Sequence, residues 1–234
     1  MTPFFLIGFR FQQVLIGDSA SSPLHVSSGV PEGSVLGPLL FLIYVNDIND
    51  SLLHCNCKLI KFADDMKLSL HFPASDTNFS RRFLLQQDLS SIQDWCSKWL
   101  LNINSSKCVC LHFGHNNPNG SYQICDAIIP NSADVVDLGI LIHKNLKPSA
   151  QCRRAAAKAQ RMLAIIKMAF TSLDIRTLTL LYKTFVLPIL DYCSVVWCPY
   201  YVKDIEVLEK VQRRFTRILP IYRGLPLQQT TREV

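Results

Sequence analysis

Two neighbouring aspartates, Asp64 and Asp65, stand in the stretch KFADDMK over residues 61–67, followed by the alternating apolar Met66, Leu68 and Leu70. Adjacent like charges repel, and carboxylates avoid apolar surroundings unless they have a partner. A divalent cation relieves both costs. Magnesium takes hard oxygen ligands and keeps several waters, so one or two carboxylates with phosphate oxygens suit it. Two such ions about 4 Å apart can activate a hydroxyl and stabilise a leaving pyrophosphate in an in-line displacement. Side chains alternate along a strand, so one aspartate is expected as the firm ligand and the other as peripheral. By itself the dipeptide equally suits a calcium turn or a solvated hairpin tip.

The elements around the pair must place it. Residues 58–62 and 66–72 predict two short strands with Ala63, Asp64 and Asp65 at their turn. Upstream, GVPEGS at 29–34 is dense in backbone punctuation and leads into an apolar helix to about Leu53, with Ser34 placed to cap it and Pro38 early within it. Residues 9–16 and 24–26 read as strands around the polar turn Gly17-Asp18-Ser19. Downstream, Ser75 or Asp76 opens a helix to about Leu101, with Leu85, Leu89, Ile92, Cys96 and Trp99 on one face. Trp95 and Trp99 read as core. Residues 107–113 predict a strand, HNNPNGS at 115–121 a turn cluster, and 122–125, 127–129 and 135–143 short strands. After Pro148 the period becomes helical over 149–170, 174–190 and 203–218, with Asp174 and Asp204 near helix starts and Pro188 and Pro199 interrupting.

The 234 residues allow one large domain or two small ones. Mean hydropathy is +0.18, and the longest uncharged apolar run, Val35–Val45, is 11 residues, well short of the ~20 that span a membrane. The start MTPFFLIGFR lacks a basic segment and a cleavage pattern, so it reads as an entry in mid-domain, not a signal peptide. An intracellular location, nucleus and/or cytoplasm, is expected, with no membrane partner. The nine cysteines read as reduced thiols, since neither Cys55-x-Cys57 nor Cys108-x-Cys110-x-His112 completes a zinc spacing. Residues 1–147 carry 10 Lys and Arg against 12 Asp and Glu; residues 148–234 carry 14 against 6. A neutral front and a basic back predict two modules, the second facing a polyanion or simply solvent.

Four stretches occur in order: GVPEGSVLGPLLFLIYVNDI (29–48), KFADD (61–65), WLLNINSSKC (99–108) and VVDLGILI (135–142). The series closely resembles the reverse transcriptases of non-LTR (LINE-type) retrotransposons, especially the jockey-like branch. LLYKTFVLPILDYCSVVW (180–197) and DIEVLEKVQRRFTRIL (204–219) resemble the segments that follow the polymerase core in such elements, so the resemblance covers nearly the whole chain.

That resemblance implies an α+β fold: a partial palm of antiparallel strands on helices over 1–147, then an α-helical thumb over 148–234. Asp64 would be the catalytic, Mg²⁺-binding aspartate and Asp65 its adjacent acid. Gly29, Val30, Pro31, Glu32 and Gly33 would form the loop that packs on the incoming deoxynucleoside triphosphate and template base. Lys107 would protonate the leaving pyrophosphate; without the family it reads equally as a surface lysine at a strand end. Val136, Asp137, Leu138, Gly139 and Ile140 would form the primer-grip hairpin. Arg153, Arg154, Lys158 and Arg161 would grip the backbone of an RNA template and DNA primer.

Two departures matter. The family loop reads GVPQG, and Glu32 exchanges a donor–acceptor amide for an acid that only accepts, which predicts impaired nucleotide handling. The family also uses a third carboxylate from an earlier strand, whereas Asp18 alone precedes Gly29, in a turn that does not match. The fingers and first palm strand are expected to be missing, and the isolated chain is expected to have little or no polymerase activity. The alternative is a non-catalytic nucleic-acid-binding module or a retrotransposon-derived relic.

Overall fold

A computed structural model describes residues 10–26, 29–30, 33–71, 81–114, 117, 119–170 and 174–218. They mix helices and strands and fall into two units. The first comprises Met1–Cys108 with Gly120–Ile129, the second Val109–Asn119 with Pro130–Val234.

The first unit opens with nested rungs of one hairpin. β1 (Arg10–Gln12) pairs antiparallel with β4 (Leu24–Val26), and β2 (Leu15–Ile16) with β3 (Ser19–Ala20). The predicted strand 9–16 is interrupted where Val14 and Ser21 exchange hydrogen bonds, Val14 N–H to Ser21 Oγ at 3.0 Å and Ser21 N–H to Val14 O at 2.9 Å. α1 spans Leu36–Tyr44, and Gly37 N–H donates to Ser34 Oγ at 2.9 Å, the cap that the sequence predicts. The helix does not reach Leu53. Polar Asn46 and Asp47 have no apolar face to extend, and a 3₁₀ turn over Asn46–Ser51 follows. Lys61 Nζ fixes this end by donating to Val45 O and Asn46 O, both at 2.9 Å.

β5 (Cys57–Phe62) and β6 (Asp65–Leu70) pair antiparallel, Leu59 opposite Leu68 and Phe62 opposite Asp65. Cys57 and Leu59 turn inward while Lys58, Ile60 and Phe62 face out, the period-2 pattern of a half-buried strand. α2 (Arg81–Lys98) supplies Ile92, Trp95 and Cys96 to a core shared with Val45, Ile48 and Leu59. Trp95 and Trp99 lie in the core as expected, their ring centroids 5.8 Å apart and Tyr44 edge-on to both. The expected helix start at Ser75 or Asp76 lies outside the described residues.

α2 also holds the short hairpin of β8 (Gln123–Ile124) and β9 (Ala127–Ile128). Gln86 Oε1 accepts from Gln123 N–H and Gln86 Nε2 donates to Gln123 O, both at 2.9 Å. Gln93 Oε1 accepts from Cys125 N–H at 2.7 Å.

In the second unit, β7 (Cys110–Leu111) runs parallel to β10 (Asn131–Ser132), and β11 (Asp134–Asp137) pairs antiparallel with β12 (Ile140–His143). Residues 107–113 do not form one strand: a 3₁₀ turn over Ser105–Lys107 precedes it and only Cys110–Leu111 pair. The helices are α3 (Ser149–Ala169), α4 (Ile175–Leu181), α5 (Leu187–Asp191), α6 (Ser194–Trp197) and α7 (Val202–Ile218). Asp174 caps α4, its side chain accepting from Thr177 N–H at 3.1 Å. Pro188 does not break the run from 175 to 191. A π turn over Tyr182–Val186 widens the helix where the proline ring would meet the preceding turn. Ala156, Ala159, Leu163, Val211 and Phe215 form the core with Tyr182, whose ring stacks on Phe215 at 4.0 Å. The alanines let α7 lie close to α3.

Candidate functional site

The acid pair sits at the tip of the β5–β6 hairpin. Ala63 and Asp64 form the two-residue turn, and Ala63 takes a positive φ of 50° to close it. Asp65 is the first residue of β6, opposite Phe62 on the exposed face. Both aspartates are exposed, and neither carboxylate makes a hydrogen bond or ion pair with a described residue. This donor set suits magnesium in the form it prefers, one or two carboxylates completed by water and phosphate oxygens. Among the described residues, no group of three or more His, Cys, Asp or Glu could hold a metal. Asp18 lies in the turn between β2 and β3.

The base of this hairpin is tied down from below. Asp88, in α2, is fully buried and its Oδ1 accepts from Leu53 N–H at 2.7 Å. Its Oδ2 has no hydrogen-bond partner among the described residues. Cys57, the first residue of β5, lies beside it. Burial, reinforced by the Asp88 carboxylate, pushes that thiol up to about 12. The sequence carried a signal for Asp88: it sits four residues before Ile92, on the apolar face of α2.

Of the glycine-rich loop, Gly29, Val30 and Gly33 are described; Pro31 and Glu32 lie outside the described residues. Gly29 and Gly33 have φ of 81° and 73°, a conformation that glycine takes without a steric cost, and Arg10 donates to Gly29 O. Lys107 ends the 3₁₀ turn with its side chain exposed, in the same unit as the acid pair and with no described hydrogen bond to it.

The 136–140 segment lies in the second unit. Leu138 and Gly139, with φ of 44° and 86°, make the two-residue turn between β11 and β12. Val136 and Gly139 face out, whereas Ile140 is buried against Cys152, Ala155 and Trp197. Leu141 N–H donates to Gln151 Oε1 at 2.9 Å, which fastens the hairpin to α3. The tip is held by Tyr192, a residue that the sequence did not flag. Its OH donates to Leu138 O at 2.9 Å, and Trp197 Nε1 in turn donates to Tyr192 O at 2.9 Å. Arg153, Arg154, Lys158 and Arg161 all lie on the exposed face of α3, opposite its buried alanines. Arg154, Lys158 and Arg161 follow one another at the spacing of a single helical stripe.

Residues 4–139 match the family model described as reverse transcriptase (RNA-dependent DNA polymerase). The chain is 29% identical to a probable RNA-directed DNA polymerase from transposon X-element of Drosophila melanogaster, over 91% of its length and 24% of that protein's. It is 26% identical to the corresponding protein from transposon BS of the same species, over 92% and 25%. Identity to the RNA-directed DNA polymerase from mobile element jockey of Drosophila funebris is also 26%, over 92% and 24%. The chain thus spans about a quarter of the length of these curated relatives. No solved structure matches it. Among the described residues no helix is long and apolar enough to cross a membrane. With its first 139 residues matched almost throughout, the chain belongs to the reverse transcriptase family.

Proposed function

We propose that this chain is part of an RNA-directed DNA polymerase of a non-LTR retrotransposon, with a partial palm over 1–147 and a helical thumb over 148–234. The observation that carries the reading is the exposed turn bearing Asp64 and Asp65, with carboxylates that no described residue engages, inside the segment that matches the family. Asp64 would be the principal magnesium ligand and Asp65 the peripheral one. Bound there, magnesium would activate the primer 3′-hydroxyl and neutralise charge on the departing pyrophosphate. Gly29–Gly33 would pack on the nucleotide, with Glu32 opposing the triphosphate by its charge. Lys107 would pass a proton to the pyrophosphate. Residues 136–140 would hold the primer end, and Arg153, Arg154, Lys158 and Arg161 the phosphates of template and primer.

Two carboxylates from a single hairpin do not complete a two-metal site. We therefore infer that the isolated chain binds nucleic acid but extends primers little or not at all. Primer extension on an RNA template with Mg²⁺ and deoxynucleotides tests this directly. Extension that disappears in Asp64→Asn would overturn the inactivity and leave the polymerase reading standing. Binding of primer–template that weakens steeply with salt, without extension, is the expected result. The exposed basic stripe on α3 also supports a second reading, a non-catalytic nucleic-acid-binding module or relic. Restored extension on joining the chain to the preceding part of a related polymerase would exclude it.

A further inference from the structure

Where the chain enters α3 and α7, two tyrosines and two lysines come together. The rings of Tyr200 and Tyr201 lie 4.3 Å apart, tilted by 43°. Lys147 Nζ stands 6.0 Å and Lys203 Nζ 5.3 Å from the Tyr201 ring centroid. Tyr200 is 62% exposed, and both lysines are exposed with no ion pair to a described residue.

The backbone beneath this cluster is fixed. Tyr201 O accepts from Asp204 N–H at 2.9 Å and Ile205 N–H at 3.1 Å, and Lys147 N–H donates to Asn145 Oδ1 at 2.9 Å. The nearby acid, Asp204, is 3% exposed and engaged by the Ser149 hydroxyl at 2.5 Å, so it is withdrawn from the surface. Glu206 and Glu209 are the other acids on this end of α7, and Glu209 pairs with Arg213.

We propose that Tyr200, Tyr201, Lys147 and Lys203 form a stacking platform for unpaired bases of a single-stranded nucleic acid. This rests on the nucleic-acid reading proposed above and adds to it a site on which one strand is recognised by its bases' faces. Every base offers a π face, and an exposed aromatic ring flanked by cations takes the base on the ring and the phosphates on the ammonium groups. Bases in a duplex are already stacked on one another, so the platform is specific for an open strand. Tyr201, with both ammonium groups within 6.0 Å of its ring centroid, lies against the Tyr200 ring and brings the cations to the platform.

Fluorescence anisotropy of the full chain with a labelled single-stranded oligouridylate, and with an RNA–DNA duplex of equal length, tests the proposal. Tyr200→Ala is expected to weaken single-strand binding about tenfold, leaving the salt slope and the duplex affinity unchanged. Tyr200→Phe, which keeps the ring, is expected to bind as the unmodified chain does. Lys147→Gln and Lys203→Gln are each expected to lower the single-strand salt slope by roughly 0.7. Unchanged single-strand affinity in Tyr200→Ala overturns the platform while leaving the nucleic-acid reading intact. A chain that binds neither oligonucleotide at low salt overturns both. Loss of binding to vesicles of anionic phospholipid in Tyr200→Ala, with oligouridylate binding unaffected, overturns the platform in favour of a lipid surface.

Discussion

Tyr192 donates its phenol hydrogen to the carbonyl of Leu138 at 2.9 Å, joining positions 54 residues apart. The bond reaches the tip of the β11–β12 hairpin, where a Cβ added at Gly139 would stand 3.5 Å from Tyr192 Cε1, in ordinary van der Waals contact. Tyr192→Phe keeps the ring and removes the donor. Unfolding in urea should show a loss of about 0.5–1 kcal/mol, the lower part of the range for a neutral hydrogen bond because the tyrosine is partly exposed. An unchanged midpoint would mean that the hairpin is held from α3 alone.

Cys193, next in the chain, has φ of 49°. A left-handed backbone costs an L-residue roughly 1–2 kcal/mol, and glycine avoids this at an unfolded-state entropy cost of about 0.5–1 kcal/mol. Cys193→Gly should therefore raise stability by roughly 0.5–1 kcal/mol, and Cys193→Val, branched at Cβ, should lower it. Thermal unfolding of the three forms should rank Gly above Cys above Val.

Asp88 binds the Leu53 amide with one oxygen and leaves the other without a described partner. Asp88→Ala should cost about 1–3 kcal/mol, because it strands a partly buried N–H. Asp88→Asn retains an acceptor and removes the cost of a buried charge, so it should be close to neutral or slightly stabilising. Urea unfolding of both variants distinguishes the two effects; an alanine variant as stable as the asparagine one would remove the amide bond from the account.

Burial holds the Cys57 thiol up to about 12, with the Asp88 carboxylate adding to it, and the Cys152 thiol up to about 11, with the Asp204 carboxylate adding to it. A pKa raised on folding means that the native state keeps its proton after the unfolded chain has lost it. The stability that these thiols contribute is fully present below the ordinary value of 9.0 and is lost as pH rises from there towards 11 and 12. Unfolding midpoints should fall over that alkaline window, and less so in Cys57→Ala than in the unmodified chain. At pH 8, maleimide should label the exposed Cys55, Cys125, Cys193 and Cys198, leaving Cys57, Cys96 and Cys152 until the chain unfolds.

What the sequence showed was mostly local. The acid pair at its hairpin turn, the Ser34 and Asp174 caps and the apolar faces of α2 and α3 follow from patterns within a few residues of each other, and the structure has them. The end of α1 is not legible because the Asn46–Ser51 segment, which closes into a 3₁₀ turn around the buried Ile48, contains neither proline nor glycine to stop the helix. Pro188 reads as a break because the widened turn that accommodates it leaves no mark in the sequence. Tyr192, Asp88 and the pairing of Ser149 with Asp204 depend on partners 35 to 55 residues away, which no periodicity brings to notice.

The glutamines of α2 have a consequence of their own. Gln86 presents its amide to Gln123 as the backbone of a neighbouring strand would, satisfying both the N–H and the C=O of that residue. Gln93 does the same for the amide of Cys125. A two-stranded ribbon with an open flank is a template on which copies of a protein can zip together. Here a helix has closed the β8 flank with two side chains, so that edge offers no seed for fibre growth while α2 stays folded.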